Sequence, residues 1–230
     1  MSISENIAAI RARMAAAARE AGRDPSELLL VGASKMNDAD ACRAAVTAGI
    51  DALGENRVQE MTEKLPQGAY TGAPLHFIGH LQRNKVRQVV GKVDLIQSVG
   101  SLELLGEIEK TAAKLDLVQD ILLEVNVAGE AAKSGFAPAD TEAAAAAALN
   151  CPHVRVLGLM TIPPAEASRE ENCGYFAEVH ALYVDINAKL FHNNFKYLSM
   201  GMSGDYEDAI ANGATMVRVG SAIFGARHYT

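Results

Sequence analysis

The segment LLLVGASK sets Lys35 just beyond a run of residues too apolar to be exposed, so its amine should project into the space that this strand faces. Partial desolvation and neighbouring cations lower an ammonium pKa towards neutrality, and the free amine can then attack an aldehyde to form a Schiff base. A lysine snorkelling from a strand end into water fits the same residues. The second reactive stretch is SMGMSGDYEDAIANGATMVRVGSAIFG, from Ser199 to Gly225. Gly201-Met202-Ser203-Gly204 precedes an acidic-started helical pattern, and Gly220-Ser221 ends a strand before a short helix at Ala222–Gly225. Backbone N–H groups at such turns, with the Ser203 and Ser221 hydroxyls, can surround a phosphate; two N-caps with tight turns are the plainer alternative.

Arg218 lies two residues before Gly220, so in an alternating strand the two share a face and the guanidinium can point inwards, where it needs an acceptor. A pyridine nitrogen would serve, and because arginine does not surrender its proton that nitrogen would stay unprotonated. A carboxylate across the sheet would serve as well. A third cluster, GENRVQEM at Gly54–Met61 and HFIGHLQRNK at His76–Lys85, adds Asn56 and His80, short directional groups suited to a ligand's ring substituents. Arg57, Arg83 and Lys85 belong to helix starts or the rim, and His76, at the beginning of its strand, is structural. The chain has no HExxH, no Cys/His grouping with metal spacing and no GxSxG elbow, so metal-dependent and serine hydrolysis have no anchor.

Elements that could bring these groups together recur as short Leu/Val/Ile runs followed by helical patterns. The runs are Leu28–Ala33, Ile50–Leu53, Leu75–Gly79, Leu95–Ser98, Ile121–Val127, Val154–Met160, Lys196–Met200 and Met216–Val219. Helical spacing occupies Asp38–Ala48, Arg57–Leu65, Gln82–Val90, Ser101–Leu115, Pro138–Leu149, Glu166–Leu190 and Asp205–Asn212. Ser2–Glu20 makes a further helix with Ile7, Ile10 and Met14 on one side. This pattern predicts a (β/α)₈ TIM barrel with an additional N-terminal helix, spanning residues 1–230 as one domain; an open doubly wound sheet competes. In such a barrel, reactive residues sit where strands end, and the loops after strands 7 and 8 hold phosphate.

Composition narrows the function. With 230 residues, 49% hydrophobic and 21% charged, the chain is ordinary and globular, and its net charge of −7 has the wrong sign for coating phosphate backbones. Neither nucleic acid nor membrane is expected as a partner, since the longest aliphatic stretch, Ala143 to Leu149, is far short of a bilayer span. Cys42, Cys151 and Cys173 form no CxxC pair and no basic-then-apolar leader precedes them, which predicts a reduced, cytoplasmic protein with inert packing cysteines. A monomer or weak dimer is the expectation, and no apolar stripe or heptad stands out from which the oligomeric state could be read.

In order along the chain, LLLVGASK, LGENRVQE, LHFIGHLQRNK, NVAGEAAKSGF, VLGLMTIPP and LSMGMSGDYEDAIANGATMVRVGSAIFG closely resemble the pyridoxal 5′-phosphate homeostasis protein family, single-domain relatives of the alanine racemase N-terminal barrel. The resemblance covers roughly residues 5 to 228. It implies pyridoxal 5′-phosphate (PLP) as cofactor, Lys35 as the Schiff-base lysine, Asn56 near the cofactor, Arg218 on the pyridine nitrogen, and Ser203, Gly220 and Ser221 around the phosphate; His80 and Met200 complete the expected cofactor-binding residues. Two departures stand out: the family's SKTKP is SKMND here, so Asn37 replaces a second lysine, and the tryptophan usual before HFIGH is Leu75.

Intracellular PLP homeostasis, with storage and supply to apo PLP-dependent enzymes and no committed substrate, is the function this implies. A racemase needs a second acid/base on the opposite face of the cofactor. The chain ends just after its eighth strand, and Tyr70, Tyr175, Tyr183 and Tyr197 fall in helices or connections. An amino-acid racemase or other α-carbon proton-transfer enzyme is the alternative, and a sugar-phosphate Schiff-base lyase the second.

Overall fold

Eight parallel strands close into a ring in chain order, with β1 paired to β8, in the computed structural model, which describes residues 2–130 and 133–225. The strands are β1 (Leu29–Ala33), β2 (Ala52–Glu55), β3 (Leu75–Phe77), β4 (Leu95–Val99), β5 (Gln119–Val125), β6 (Val154–Thr161), β7 (Tyr197–Ser199) and β8 (Met216–Val219). The helices are α1 (Ile3–Glu20), α2 (Ala39–Thr47), α3 (Val58–Lys64), α4 (Leu102–Lys114), α5 (Pro138–Ala148), α6 (Arg169–Leu190), α7 (Tyr206–Ala211) and α8 (Ser221–Phe224). The expected barrel with its extra N-terminal helix is therefore what forms.

Local chemistry starts the helices where the sequence marks them. Ser2, Asp38, Ser101 and Ser168 each accept a backbone N–H of the first turn, and Ser2/Glu5 and Ser168/Glu171 are reciprocal capping boxes. The strands are apolar on both faces because both are covered. Leu30, Leu53, Phe77, Ile96, Leu123, Leu159, Leu198 and Val217 pack in the shell against the helices. Val31, Ala52, Leu95, Leu122, Leu157, Met160 and Met216 fill the barrel itself. Within β6, Gly158 has φ +148°, and a Cβ there would lie 1.8 Å from the carbonyl oxygen of Tyr197, so only glycine lets β6 and β7 approach.

Besides shifts of two or three residues at the bounds of β3, β5 and α6, two elements differ from the sequence reading in ways that bear on the site. Strand β2 begins and ends two residues late, because Ile50 closes the turn after α2 by donating its N–H to Ala45 O, while Gly54 and the buried Glu55 continue the ladder. The stretch Gln82–Val90 forms a 3₁₀ segment at Arg83–Gln88 instead of an α-helix. Gln82 makes no side-chain cap, and the buried Val86 and Val89 are three residues apart, the 3₁₀ repeat.

A chain of polar side chains runs through the barrel interior. Arg218 Nη1 donates to Ser199 Oγ at 2.6 Å, Ser199 Oγ donates to Gln97 Oε1 at 2.6 Å, and Gln97 Nε2 lies 2.9 Å from His76 Nδ1. His76 is thus structural, as expected. Burial pushes its imidazole from 6.5 down to about 4, partly opposed by Asp94, so it folds neutral. The unfolded chain binds that proton first on acidification, so the penalty is absent above pH 6.5 and fully developed near pH 4. Urea unfolding across this interval should show His76→Asn losing less stability than the native chain, by roughly 3 kcal/mol at the acid end. Parallel pH profiles for the two proteins would refute this assignment.

Candidate functional site

The C-terminal ends of the strands form a polar mouth. Ser34 N donates to Gly54 O at 2.9 Å, carrying the β1–β2 ladder one residue past β1 to the half-buried Lys35. The following turn holds Met36 at φ 62°, with Asn37 Nδ2 donating to Lys35 O at 3.0 Å. On the neighbouring strand, Gly220 comes so near β1 that a Cβ would stand 3.2 Å from Ala33 O. Gly220 N and Ser221 Oγ both donate to Ser203 Oγ at 3.3 Å, so the loops after β7 and β8 form one hydroxyl–amide cluster beside the Lys35 turn.

Below that cluster lies Arg218, 3% exposed, with Nη2 donating to Thr161 O at 2.9 Å as well as Nη1 to Ser199. Burial lowers its pKa to about 10, opposed by Glu124 and Asp205, which leaves it cationic at neutral pH. Its direct protein hydrogen bonds go to a hydroxyl and a carbonyl rather than to the carboxylate that the sequence also allowed. Two of its five N–H groups are used there. Glu124 is also buried, and desolvation raises its carboxyl against the Ser134 hydroxyl, which donates at 3.0 Å, and against the charges of Arg218, His80 and Lys133.

Asn56 and His80 meet across a cavity of about 400 Å³ that Gly79, Glu124, Asn126, Lys133 and Ser134 also line. It adjoins a second of about 670 Å³ over Arg83 and Ser101. At Gly79 a Cβ would fall 2.2 Å from Asn56 O, so glycine lets the loops after β2 and β3 approach each other. Asn56 lines the first cavity, while its Oδ1 is buried and has no hydrogen-bond partner among the described residues.

The structure therefore brings Lys35, Ser203, Gly220 and Ser221 to one seam, Arg218 beneath it, and Asn56 with His80 to the adjoining cavity. Met200 differs: its wholly buried side chain belongs to the apolar shell between barrel and helices rather than to the mouth. Tyr197 begins β7, at the base of a strand, instead of lying in a helix or connection. Cys42 and Cys151 have thiols raised by burial. Glu124 was not singled out from sequence, although a carboxylate inside the apolar run ILLEV was a usable signal. Among the described residues there is no grouping fit for a metal ion and no helix long and apolar enough to cross a membrane.

Comparison with known proteins follows the same lines. The family described as alanine racemase, N-terminal domain, matches residues 6–228. The pyridoxal phosphate homeostasis protein of Pseudomonas aeruginosa is 42% identical over 99% of this chain and 96% of its own. That of Aquifex aeolicus is 40% identical over the full length of both. PipY of Synechococcus elongatus PCC7942, solved with PLP bound, superposes with a TM-score of 0.84 at 31% identity, over 97% of this chain and all of PipY. On barrel, mouth and full-length similarity together, the chain belongs to the pyridoxal phosphate homeostasis protein family, built on the alanine racemase N-terminal domain.

Proposed function

We propose that this protein holds PLP at the barrel mouth in exchangeable form and supplies it to apo PLP-dependent enzymes in the cytoplasm, as a monomer or weak dimer with no committed substrate. One observation carries the reading: the turn that bears Lys35, a buried guanidinium and a hydroxyl–amide cluster meet at the β1/β8 seam, matching an aldehyde, a ring nitrogen and a phosphate. Asn56 and His80 support the fit, since both line the adjoining cavity and are short directional groups suited to ring substituents. PipY, with the same fold, binds this cofactor.

Bound here, the cofactor supplies a reactive aldehyde on an electron-withdrawing ring. Lys35 is the residue that would hold the aldehyde, its amine exchanging the carbonyl oxygen as one water for a C=N link. Ser203, Gly220 and Ser221 hold the phosphate through hydroxyls and a backbone amide, with His80 and Asn56 on the ring side. Arg218 would hold the ring nitrogen with one of its remaining N–H groups and, staying protonated, would leave that nitrogen without a proton, so electron withdrawal would be weak. Weak withdrawal suits storage over turnover at an α-carbon.

Incubation with PLP, borohydride reduction and peptide mass analysis should place the label on Lys35, and Lys35→Ala should abolish it. A label elsewhere, or racemisation of an amino acid that Lys35→Ala removes, would displace this reading. Asn37 gives its amide to the Lys35 carbonyl and contributes no charge, so cation-assisted release is weaker than with a second lysine. Asn37→Lys is expected to speed transfer of the cofactor to an apo-enzyme; transfer at the native rate would count against that role.

A further inference from the structure

Ser34, the residue before Lys35, turns away from the barrel axis into a buried polar cluster that cofactor binding does not use. Glu55, wholly buried at the end of β2, gathers three donors on Oε1: Ser34 Oγ at 2.6 Å, Lys64 Nζ at 2.8 Å and Tyr70 OH at 3.0 Å. Its Oε2 has no hydrogen-bond partner among the described residues. Lys64 Nζ also donates to Ser34 O at 3.0 Å and lies 3.8 Å from Glu60 Oε2, which accepts the Met36 N–H at 2.7 Å. Groups carried by β2 and α3 thus hold the backbone on both sides of Lys35.

Stability alone does not account for this arrangement. A buried ion pair roughly breaks even against apolar side chains of similar volume, and this one leaves a carboxylate oxygen unsatisfied. The segment it grips contains Met36 in the left-handed region, a conformation that persists in a non-glycine residue only where the surroundings over-determine it. Tyr70 stays a donor throughout, because burial first and the Glu55 charge second push its phenol well above the ordinary range. Sending Ser34 outward sends the next side chain, that of Lys35, towards the barrel axis.

We propose that Glu55 and Lys64 are positioning residues for Lys35: by fixing Ser34 and, through Glu60, Met36, they present its amine to an aldehyde at the mouth. The proposal rests on the PLP reading above. Its consequence is selective, because the cluster touches the lysine turn and leaves the phosphate cradle on β7 and β8 alone. Loss of the cluster should slow covalent capture without weakening the non-covalent grip.

Two probes separate these effects: PLP, and pyridoxine 5′-phosphate, which keeps ring and phosphate but has an alcohol in place of the aldehyde. Glu55→Gln, Lys64→Met and the charge-neutral double variant should capture PLP at Lys35 on the order of tenfold more slowly or worse, read by borohydride trapping, while their affinity for pyridoxine 5′-phosphate is unchanged. Ser34→Ala, the mildest change, should show the same pattern in smaller degree and guards against variants that do not fold. Unchanged capture in the folded variants, or equal losses for both probes, overturns the proposal. A native protein that binds neither probe would instead bring down the cofactor reading on which it depends.

Discussion

Closure of the ring at β1 and β8 is the constraint on which the site depends. Val31 pairs with Arg218 and Gly32 with Val219, so strands from opposite ends of the chain lie side by side with their C-terminal loops together. Only then do the Lys35 turn and the Ser203–Gly220–Ser221 cluster become neighbours. Helix α1 fastens this seam from outside. Ile7, Ile10 and Met14 bury against it, Asn6 donates to Ile223 O, Arg13 pairs with Glu207 on both carboxylate oxygens, and Arg23 donates to the carbonyls of Ile210 and Ala214. The N-terminal helix is thereby part of what holds the mouth in shape.

Placing a permanent cation inside the barrel has consequences for its whole interior. Arg218 needs acceptors, and the fold provides them serially through Ser199, Gln97 and His76, with Thr161 O as the second. Because each member donates to or accepts from the next, removing one leaves another unsatisfied in a medium where that is expensive. The apolar layer of Val31, Leu95, Leu122 and Met216 surrounds this spine, so Arg218 is held in one place without a carboxylate bonded to it.

Much of this site was visible in the sequence, and the reason lies in strand ends. Where an apolar run stops at Ser34-Lys35, Met202-Ser203 or Gly220-Ser221, the residue types change abruptly, and a barrel sends all such ends to one face. Met200 was misplaced because inside or outside is decided by a one-residue register that a short run does not specify. Glu55 was passed over because it follows an apolar run that seemed to end at Leu53; the strand continues through it, and its three donors come from β1, α3 and the segment beyond. The 3₁₀ segment at Arg83–Gln88 shares its apolar spacing of three with an α-helix, so periodicity could not tell them apart.

Sequence alone determined which segments form strands and helices, that the strands run parallel with both faces covered, and that a lysine, an arginine and two hydroxyls stand at or near strand ends. These follow from local periodicity, capping and composition, which act over a few residues. Tertiary structure decided what each polar group meets: that Arg218 rests on Ser199 and Thr161, that Asn56 and His80 line one cavity, and that Glu55 and Lys64 grip the Lys35 turn from behind. Hydrogen-bond partners far apart in the chain are chosen by register and barrel closure, and neither is written in any single stretch of residues.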